Sequence, residues 1–172
     1  GMDNQSKVIV PDITELHCGA SRPGHFTGVS TVVTMLFNMV QPDVALFGQK
    51  DYQQLQVIKD MNDSLLLGVN IIGAPIIRDE HGLALSSRNA LLTTEEIDIA
   101  RTLNVILHEL ANEIAQHPND TDDLIPPAIE RLFTAGFNKV DYLETRWNRL
   151  LTAAWIGKTR LIDNVAIKKA AP

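Results

Sequence analysis

The chain has 172 residues, of which 45% are hydrophobic and 21% charged, a composition typical of one large globular domain or two small ones. A formal net charge of -6 argues against a broad nucleic-acid-binding surface, which needs a basic face. No apolar stretch approaches the roughly 20 residues of a membrane span, and the single cysteine, Cys18, excludes an internal disulfide. We therefore expect a cytoplasmic protein that binds neither nucleic acid nor membrane.

The first part of the chain alternates short apolar runs with helical patterns. KVIVP (7–11), VALFG (44–48) and VNIIGAP (69–75) are typical of buried parallel strands. Between them, apolar residues recur at helical spacing, at Val29, Val32, Val33, Leu36, Phe37 and Val40 and more weakly at Leu55, Ile58, Asn62 and Leu65. Strands alternating with helices predict a doubly wound α/β sheet.

The pattern changes after residue 90. TTEE starts a long helix with Thr93 as its cap, Glu96 as its capping-box partner and an apolar stripe at Ala100, Leu103, Leu107, Leu110 and Ile114. TDDLIPPAIERLFTAGF predicts a second helix with Pro126 and Pro127 near its first turn. VDYLETR, LLTAAWIG and TRLIDNVAI predict short strands. A small α+β unit is therefore expected to follow the first domain.

Polar residues follow the strand VALFG, in the stretch GQKDYQQL. In open α/β sheets ligands bind beyond the carboxyl ends of the strands. There Gly48 lets a ligand approach the backbone, Lys50 supplies a cation, and Asp51 can accept from sugar hydroxyls. Gln54, one helical turn after Lys50, can face the same crevice. The alternative is a charged helix start with Asp51 near the positive end of the helix dipole.

A second polar cluster, LSSRN, follows the predicted tight turn Asp79–Gly82. The hydroxyls of Ser86 and Ser87 can donate without bulk, and the Arg88 guanidinium can bind a phosphate or carboxylate through two parallel hydrogen bonds. The alternatives are a serine cap followed by a solvated arginine, or an Arg88 that only pairs with a surface carboxylate such as Glu95 or Glu96. We expect this cluster and GQKD to face one crevice that binds a polyanion.

A third cluster, SRPGHF (21–26), forms a stiff turn that presents Arg22 and His25, for a carboxylate or for packing over the sheet. The other histidines show no metal-ligand spacing and are expected on the surface: His17, His81, His108 and His117. Cys18 is expected to be a small packed residue.

Three long segments carry a resemblance to a known family. SRPGHFTGVSTVVTMLFNMVQPDVALFGQKDYQQL, GAPIIRDEHGLALSSRNALLT and AAWIGKTRLIDN closely resemble the C-terminal two thirds of the pantoate:β-alanine ligases. The resemblance implies a partial Rossmann-like nucleotidyltransferase domain at 1–75 and a C-terminal ATP-closing domain at 76–172. It also implies a homodimer that uses ATP with Mg²⁺ to join pantoate and β-alanine through a pantoyl adenylate.

The resemblance also assigns roles to individual residues. It places ATP at Gly48, Gln49, Lys50 and Asp51, with Gly48 and Asp51 at the ribose and Lys50 at the phosphates. Gln54 matches the glutamine that binds pantoate, and Ile77 the position whose backbone recognises adenine. The triphosphate is expected at Leu85, Ser86, Ser87 and Arg88, and Lys50, Ser86, Ser87 and Arg88 are the expected catalytic residues.

The chain departs from the family pattern in two places. It lacks the His-x-Gly-His signature of the family's first strands, and its connection near residues 146–150 is shorter than usual. We therefore expect the chain alone to bind ATP weakly and to make no pantothenate. A non-catalytic nucleotide-binding or assembly module, or another nucleotidyltransferase of similar fold, remains the alternative. No residue stands out as proton acceptor for the amine of β-alanine.

Overall fold

The computed structural model describes residues 6–168, and the chain divides into two compact units, Gly1–Pro75 and Ile76–Pro172. The first unit contains a parallel sheet and the second an antiparallel sheet, which confirms the predicted α/β fold class. Among residues 6–168, no helix is long and apolar enough to cross a membrane.

A β-α-β crossover organises the first unit. Its elements are helices α1 (Cys18–Ser21), α2 (His25–Val40) and α3 (Tyr52–Ser64) and strands β1 (Val44–Gly48) and β2 (Asn70–Ala74). The strands pair in parallel, from Val44 opposite Asn70 to Gly48 opposite Ala74. Parallel neighbours need a crossover connection, and α3 provides it. The strands predicted at 44–48 and 69–75 are thus confirmed.

Helices α2 and α3 differ in how well they are buried. Helix α3 buries Leu55, Val57, Ile58 and Met61. On α2, Phe37 is buried, and its ring centroid lies 6.4 Å from that of Phe47 on β1. Part of the predicted apolar stripe is wrong, because Val32, Leu36 and Val40 are 55%, 46% and 68% exposed. The helical spacing identified the helix but not the face that the unit covers.

The strand predicted at KVIVP (7–11) is wrong. Residues 7–10 have no regular secondary structure, and a turn begins at Pro11. Side chains of α2 bind this backbone instead: the Val8 N–H donates to Thr31 Oγ1 (2.9 Å) and Ser30 Oγ donates to the Val8 carbonyl (2.6 Å). β-branched residues favour extended backbone, but a strand also needs a neighbouring strand, and the Val8 backbone is bonded to a helix.

The second unit places two helices against a three-stranded sheet. Its elements are α4 (Thr94–Gln116), α5 (Thr121–Ala135), β3 (Lys139–Arg146), β4 (Arg149–Ile156) and β5 (Thr159–Ala166), with the strands antiparallel in the order β3-β4-β5. The predicted capping box at the start of α4 is confirmed: Thr93 Oγ1 accepts from the Glu96 N–H (3.2 Å), and Glu96 Oε2 accepts from the Thr93 N–H (2.9 Å).

One apolar core joins these elements. The predicted stripe of α4 is buried throughout, and it packs with residues of α5 and of one face of the sheet, among them Leu132, Leu143, Leu150 and Leu161. Burial of large aliphatic side chains contributes roughly 1.5–3 kcal/mol each. The second unit therefore has a continuous apolar core of its own.

The two prolines of α5 lie near its first turn, as predicted. The helix begins at Thr121, so Pro126 and Pro127 fall in its second turn, directly after the first. Each proline lacks the N–H that would donate to the carbonyl four residues earlier. Both prolines are exposed, as are Asp122 and Asp123, whose carbonyls lose these donors, so water can replace the missing hydrogen bonds.

A tight turn joins β3 to β4. Arg146 pairs with Arg149, and the two residues between them, Trp147 and Asn148, have φ angles of 52° and 53°. Positive φ at both central residues is the geometry of a type I′ hairpin turn, which matches the twist of the flanking strands. The short connection near residues 146–150 is thus closed by a two-residue turn.

Candidate active site

In the first unit, the predicted nucleotide-binding residues lie where β1 ends. Gly48 is the last residue of β1, and Gln49–Asp51 form a single 3₁₀ turn that leads into α3. A Cβ added at Gly48 would meet no atom within 4 Å, and the φ of −66° suits any residue. The fold itself therefore does not require this glycine, and the space beside it is open to a ligand.

Gln49 has a structural contact. Its amide nitrogen donates to the Gly73 carbonyl of β2 at 3.1 Å. A Cβ at Gly73 would lie 3.2 Å from the Gln49 side chain and 2.8 Å from Leu55, so Gly73 leaves room for this contact. The Gln49 side chain thus ties the ends of the two strands together.

Lys50, Asp51 and Gln54 surround the start of α3. Lys50 and Gln54 are half-buried and Asp51 is exposed. Asp51 is the residue before the helix, yet its side chain makes no capping hydrogen bond. The carboxylate therefore makes no capping hydrogen bond, although its place directly before α3 agrees with the alternative of a charged helix start near the positive end of the helix dipole.

Sequence reasoning missed Gln53. This residue is 4% exposed, its amide nitrogen donates to the carbonyls of Ile13 (2.8 Å) and Leu16 (2.7 Å), and its Oε1 accepts from the Cys18 N–H (3.0 Å). Gln53 therefore fastens the segment before α2 to α3. The sequence alone does not distinguish these two adjacent glutamines. The three-dimensional contacts show that Gln53 is structural and that Gln54 lies on another side of the helix.

In the second unit, residues 77–85 fold back on themselves; we call them the 77–85 loop. The Leu85 N–H donates to the Ile77 carbonyl (2.9 Å), and the Gly82 N–H donates to the Asp79 carbonyl (3.1 Å). Gly82 has a φ of 89°, so the predicted turn with glycine at its last position is confirmed. Ile77 and Leu85, at the open end of the loop, are 67% and 50% exposed.

Asp79 organises the turn of this loop. Its Oδ1 accepts from the backbone N–H groups of His81 (2.9 Å) and Leu83 (2.8 Å), and its Oδ2 accepts from Arg101 Nε (3.2 Å). Burial acts to raise the pKa of Asp79, but the two backbone N–H groups and Arg101 outweigh it, so the pKa lies below its ordinary value. Asp79 is therefore ionised at neutral pH and fixes the turn.

The Ser86–Arg88 segment follows the loop directly. Ser86 Oγ accepts from the Arg88 N–H at 3.2 Å and caps a short 3₁₀ helix, Ser87–Leu91. The side chains of Ser87 and Arg88 are exposed. Within residues 6–168, no carboxylate pairs with Arg88, and Glu96 is used in the capping box. The alternative of a serine cap followed by a solvated arginine agrees with this structure, whereas the other possibility, that Arg88 pairs with Glu95 or Glu96, does not.

The third cluster brings its two named residues together. Arg22 Nη1 lies 3.3 Å from His25 Nε2, and His25 is the first residue of α2. Gly24, between them, has a φ of 77°, which favours glycine at this turn. A ligand role for the pair stays a prediction.

The remaining histidines do not form a metal site. His81, His108 and His117 are exposed as predicted, but the surface assignment of His17 is wrong, because His17 is only 7% exposed. In the part of the chain that the structure describes, no three His, Cys, Asp or Glu side chains gather into a group that could bind a metal ion.

Comparison with known proteins identifies the family. A family model for pantoate-beta-alanine ligase matches residues 2–166. This chain belongs to that family. It is 49% identical over 181 residues to pantothenate synthetase of Marinobacter nauticus, covering 98% of this chain and 64% of the relative. It is also 48% identical over 184 residues to pantothenate synthetase of Ectopseudomonas mendocina. That match covers 99% of this chain and 64% of the relative. The chain thus spans less than two thirds of these pantoate-beta-alanine ligases.

Solved structures of the family are similar as well. A crystal structure of pantothenate synthetase from Thermus thermophilus matches with a TM-score of 0.86 and 36% identity, over 96% of this chain and 64% of the other. The pantoate-beta-alanine ligase from Francisella tularensis, solved in complex with beta-gamma ATP and beta-alanine, matches with a TM-score of 0.79 and 34% identity. This match covers 95% of this chain and 59% of the Francisella chain.

Proposed function

We propose that this chain is the nucleotide- and pantoate-binding part of a pantothenate synthetase, which joins pantoate to β-alanine at the expense of ATP. The observation that carries the proposal is the family match over residues 2–166. The Francisella tularensis relative, solved with beta-gamma ATP and beta-alanine, supports two of the three substrates.

The proposed reaction has two steps. A carboxylate oxygen of pantoate attacks the α-phosphorus of ATP, the bond from that phosphorus to the bridging oxygen breaks, and pyrophosphate leaves. The amine of β-alanine then attacks the acyl carbon of pantoyl adenylate, loses a proton, and displaces AMP. The first step needs no general base, because a carboxylic acid with an ordinary pKa near 4 is already ionised at neutral pH.

In the first unit we propose that β1 and α3 present the groups that orient the reactants. Lys50 would neutralise phosphate charge, and Asp51, exposed and not used as a helix cap, would accept from the ribose hydroxyls. Gln49 would contribute its backbone, because its side-chain amide donates to Gly73. Gln54 would orient the attacking carboxylate of pantoate, while Gly48 leaves space for the ribose.

In the second unit we propose that the end of the 77–85 loop and the residues after it bind the nucleotide. The backbone of Ile77 would recognise adenine, and Leu85, Ser86, Ser87 and Arg88 would bind the triphosphate. Arg88 suits this role because its guanidinium is exposed and pairs with no carboxylate of residues 6–168. A guanidinium fork binds two phosphate oxygens, and its charge opposes the negative charge that grows on departing pyrophosphate.

Magnesium belongs to this proposal only as a companion of ATP. Among residues 6–168 no cluster of metal-binding side chains is found, and no step is assigned to a resident metal. The homodimer and the cytoplasmic location implied by the family resemblance are also proposals. Light scattering on the purified chain would test the first, and localisation of a tagged copy the second.

We further propose that the 172-residue chain does not make pantothenate by itself. It spans 64% of the Marinobacter nauticus relative, and its sequence contains no His-x-Gly-His. The test is pyrophosphate release from ATP in the presence of pantoate and β-alanine. We expect no release above background by the chain alone, and pantoate-dependent release once the unmatched part of that relative is added as a separate polypeptide.

This assay also separates pantoate from other acids. Release that depends on pantoate, with little from acids that lack its hydroxyl groups, would support the proposed substrate. Release that is equal with unrelated carboxylic acids would favour another nucleotidyltransferase of similar fold. Pantothenate formation by the chain alone would contradict the expectation of inactivity but not the assignment of substrates.

A further inference from the structure

We infer that the ion pair between Arg78 and Asp163 is a positioning device, which sets the 77–85 loop in the one orientation that presents Ile77 and Leu85–Arg88 to the nucleotide. The inference rests on the proposed function of those residues. Neither Arg78 nor Asp163 is proposed to touch the substrate.

The geometry of the pair is bidentate. Arg78 Nη1 lies 2.7 Å from Asp163 Oδ2, and Arg78 Nη2 lies 2.8 Å from Asp163 Oδ1. The same guanidinium donates to the carbonyls of Gly82 (2.9 Å) and Asn164 (3.3 Å). Two parallel bonds to a carboxylate fix both the position and the plane of the guanidinium. Arg78 therefore joins the start of the loop, its turn and strand β5.

Burial explains why orientation, rather than stability, is what this pair supplies. The Asp163 side chain is 3% exposed and the Arg78 side chain 21%. Desolvation of two charges offsets most of their attraction, so apolar residues of similar volume often stabilise a fold equally well. Apolar contacts are non-directional, whereas a bidentate pair fixes the plane and the direction of approach of the guanidinium.

Helix α4 provides a second attachment for the loop. Asp79 accepts from Arg101 of α4, and a Cβ at Gly82 would lie only 2.6 Å from Asn104 Oδ1 of the same helix. Leu83 is 6% exposed. The base of the loop is thus fixed on β5 and α4, whereas Ile77 and the residues from Leu85 to Arg88, apart from half-buried Ser86, are exposed.

Hydrogen bonds carry this orientation from the loop to Arg88. The Leu85 N–H donates to the Ile77 carbonyl (2.9 Å), and Asn89 Nδ2 donates to the Ala84 carbonyl (3.2 Å). Ser86 Oγ then accepts from the Arg88 N–H (3.2 Å). A shift of the loop therefore shifts the phosphate-binding segment, and small displacements of a binding group weaken transition-state and ligand contacts steeply.

Asp141 offers a matched control in the same sheet. Its side chain is 7% exposed and, like Asp163, binds an arginine, with Arg160 Nε at 2.7 Å. Its other partners, Lys139 (2.8 Å) and Trp155 (3.0 Å), also lie in the sheet and not in the loop. Asp163→Asn and Asp141→Asn therefore remove the same charge from similar surroundings, but only the first affects the loop.

The experiment compares the unsubstituted chain with these two variants by titration with MgATP, by thermal melting, and by amide hydrogen exchange of residues 77–89 without nucleotide. We expect both variants to melt earlier. Only Asp163→Asn should exchange faster at 77–89 and bind MgATP more weakly, by about 10- to 100-fold. Arg78→Lys keeps the charge but loses the two-pronged guanidinium. Its exchange rate at 77–89 and its MgATP affinity should therefore lie between those of Asp163→Asn and Asp141→Asn.

The outcomes separate this inference from the proposed function. Faster exchange and weaker MgATP binding in Asp163→Asn alone would support it. Unchanged exchange at 77–89, or MgATP binding equal to that of Asp141→Asn, would overturn it while leaving the proposed function intact. If the unsubstituted chain binds no MgATP at all, the proposed function fails and the inference fails with it.

Discussion

In the second unit, Leu107, Leu110 and Leu132 are at most 1% exposed, in one core between α4, α5 and the three-stranded sheet. In the first unit, Val44, Leu46 and Ile72 lie on one face of the two-stranded sheet and are 47%, 71% and 41% exposed. Parallel sheets are normally covered on both faces. The second unit is thus stabilised by its own core, whereas these three apolar side chains of the first unit's sheet are not covered by the residues that the structure describes.

The largest expected effect comes from truncating one leucine in each unit. Leu107→Ala should lower the free energy of unfolding of the second unit by about 2–5 kcal/mol, because it leaves a cavity in a closed core. Leu46→Ala should change stability by less than about 0.5 kcal/mol. Circular dichroism follows the unfolding of both units, and tryptophan fluorescence follows the second unit selectively, since both tryptophans, Trp147 and Trp155, lie in β3–β4 and their turn. Equal losses for the two variants would break the comparison.

The next effect separates a ligand-binding arginine from a structural one within the second unit. Arg88→Ala should weaken MgATP binding by roughly 10- to 150-fold, the loss of a charged hydrogen bond of about 1.5–3 kcal/mol, with little change in melting temperature. Arg160→Ala should do the reverse, because Arg160 binds Asp141 within the sheet. Calorimetry and melting of both variants provide the measurement. Unchanged MgATP affinity in Arg88→Ala would refute the phosphate role.

A pH-dependent effect concerns Asp141. Burial acts to raise its pKa, but hydrogen bonds from Arg160, Lys139 and Trp155 outweigh it, so the pKa lies below the ordinary value of 3.8. A carboxylate with a lowered folded pKa contributes stability above its unfolded pKa, and this stability is lost as pH falls through the folded value. Stability of the second unit should therefore decline below about pH 4.

The Asp141→Asn variant should lose on the order of 1–3 kcal/mol at neutral pH. Its stability should then fall less steeply than that of the parent as the pH is lowered from about 4. Unfolding midpoints at neutral pH and near pH 3 measure the difference. Identical pH slopes in the two proteins would show that Asp141 does not contribute to acid sensitivity.

The smallest effect concerns the β3–β4 turn. Asn148→Gly should raise the free energy of unfolding of the second unit by about 0.5–1 kcal/mol, because glycine adopts the φ of 53° found at this position without steric cost. The matched control is Lys158→Gly in the next turn. A loss of stability in Asn148→Gly would indicate that the Asn148 side chain stabilises the turn more than its backbone strains it.

Much of this fold could be predicted because the local pattern and the tertiary structure agree. The capping box at Thr93 and Glu96 and the strands of the second unit form where the pattern indicates, and the predicted stripe of α4 is buried. KVIVP and the exposed stripe of α2 show where this fails. Periodicity reports the tendency of a segment, but burial depends on what packs against it.

The candidate site shows the same limit. The positions of Gly48–Asp51 after β1 and of the turn Asp79–Gly82 followed from strand ends and turn chemistry. The roles of Gln53 and of the Arg78–Asp163 pair could not be predicted. Their partners lie up to 40 and 85 residues away along the chain, and no local spacing marks such contacts.

The most direct test of the proposed function is titration of the purified chain with MgATP, alongside Lys50→Ala and the control Lys59→Ala, which lies further along in α3. The proposal predicts weak, saturable binding by the unsubstituted chain, equal binding by Lys59→Ala, and a loss of about 10-fold or more in Lys50→Ala, since removing a charge-assisted hydrogen bond costs about 1.5–3 kcal/mol. No binding by the unsubstituted chain, or undiminished binding by Lys50→Ala, would contradict it.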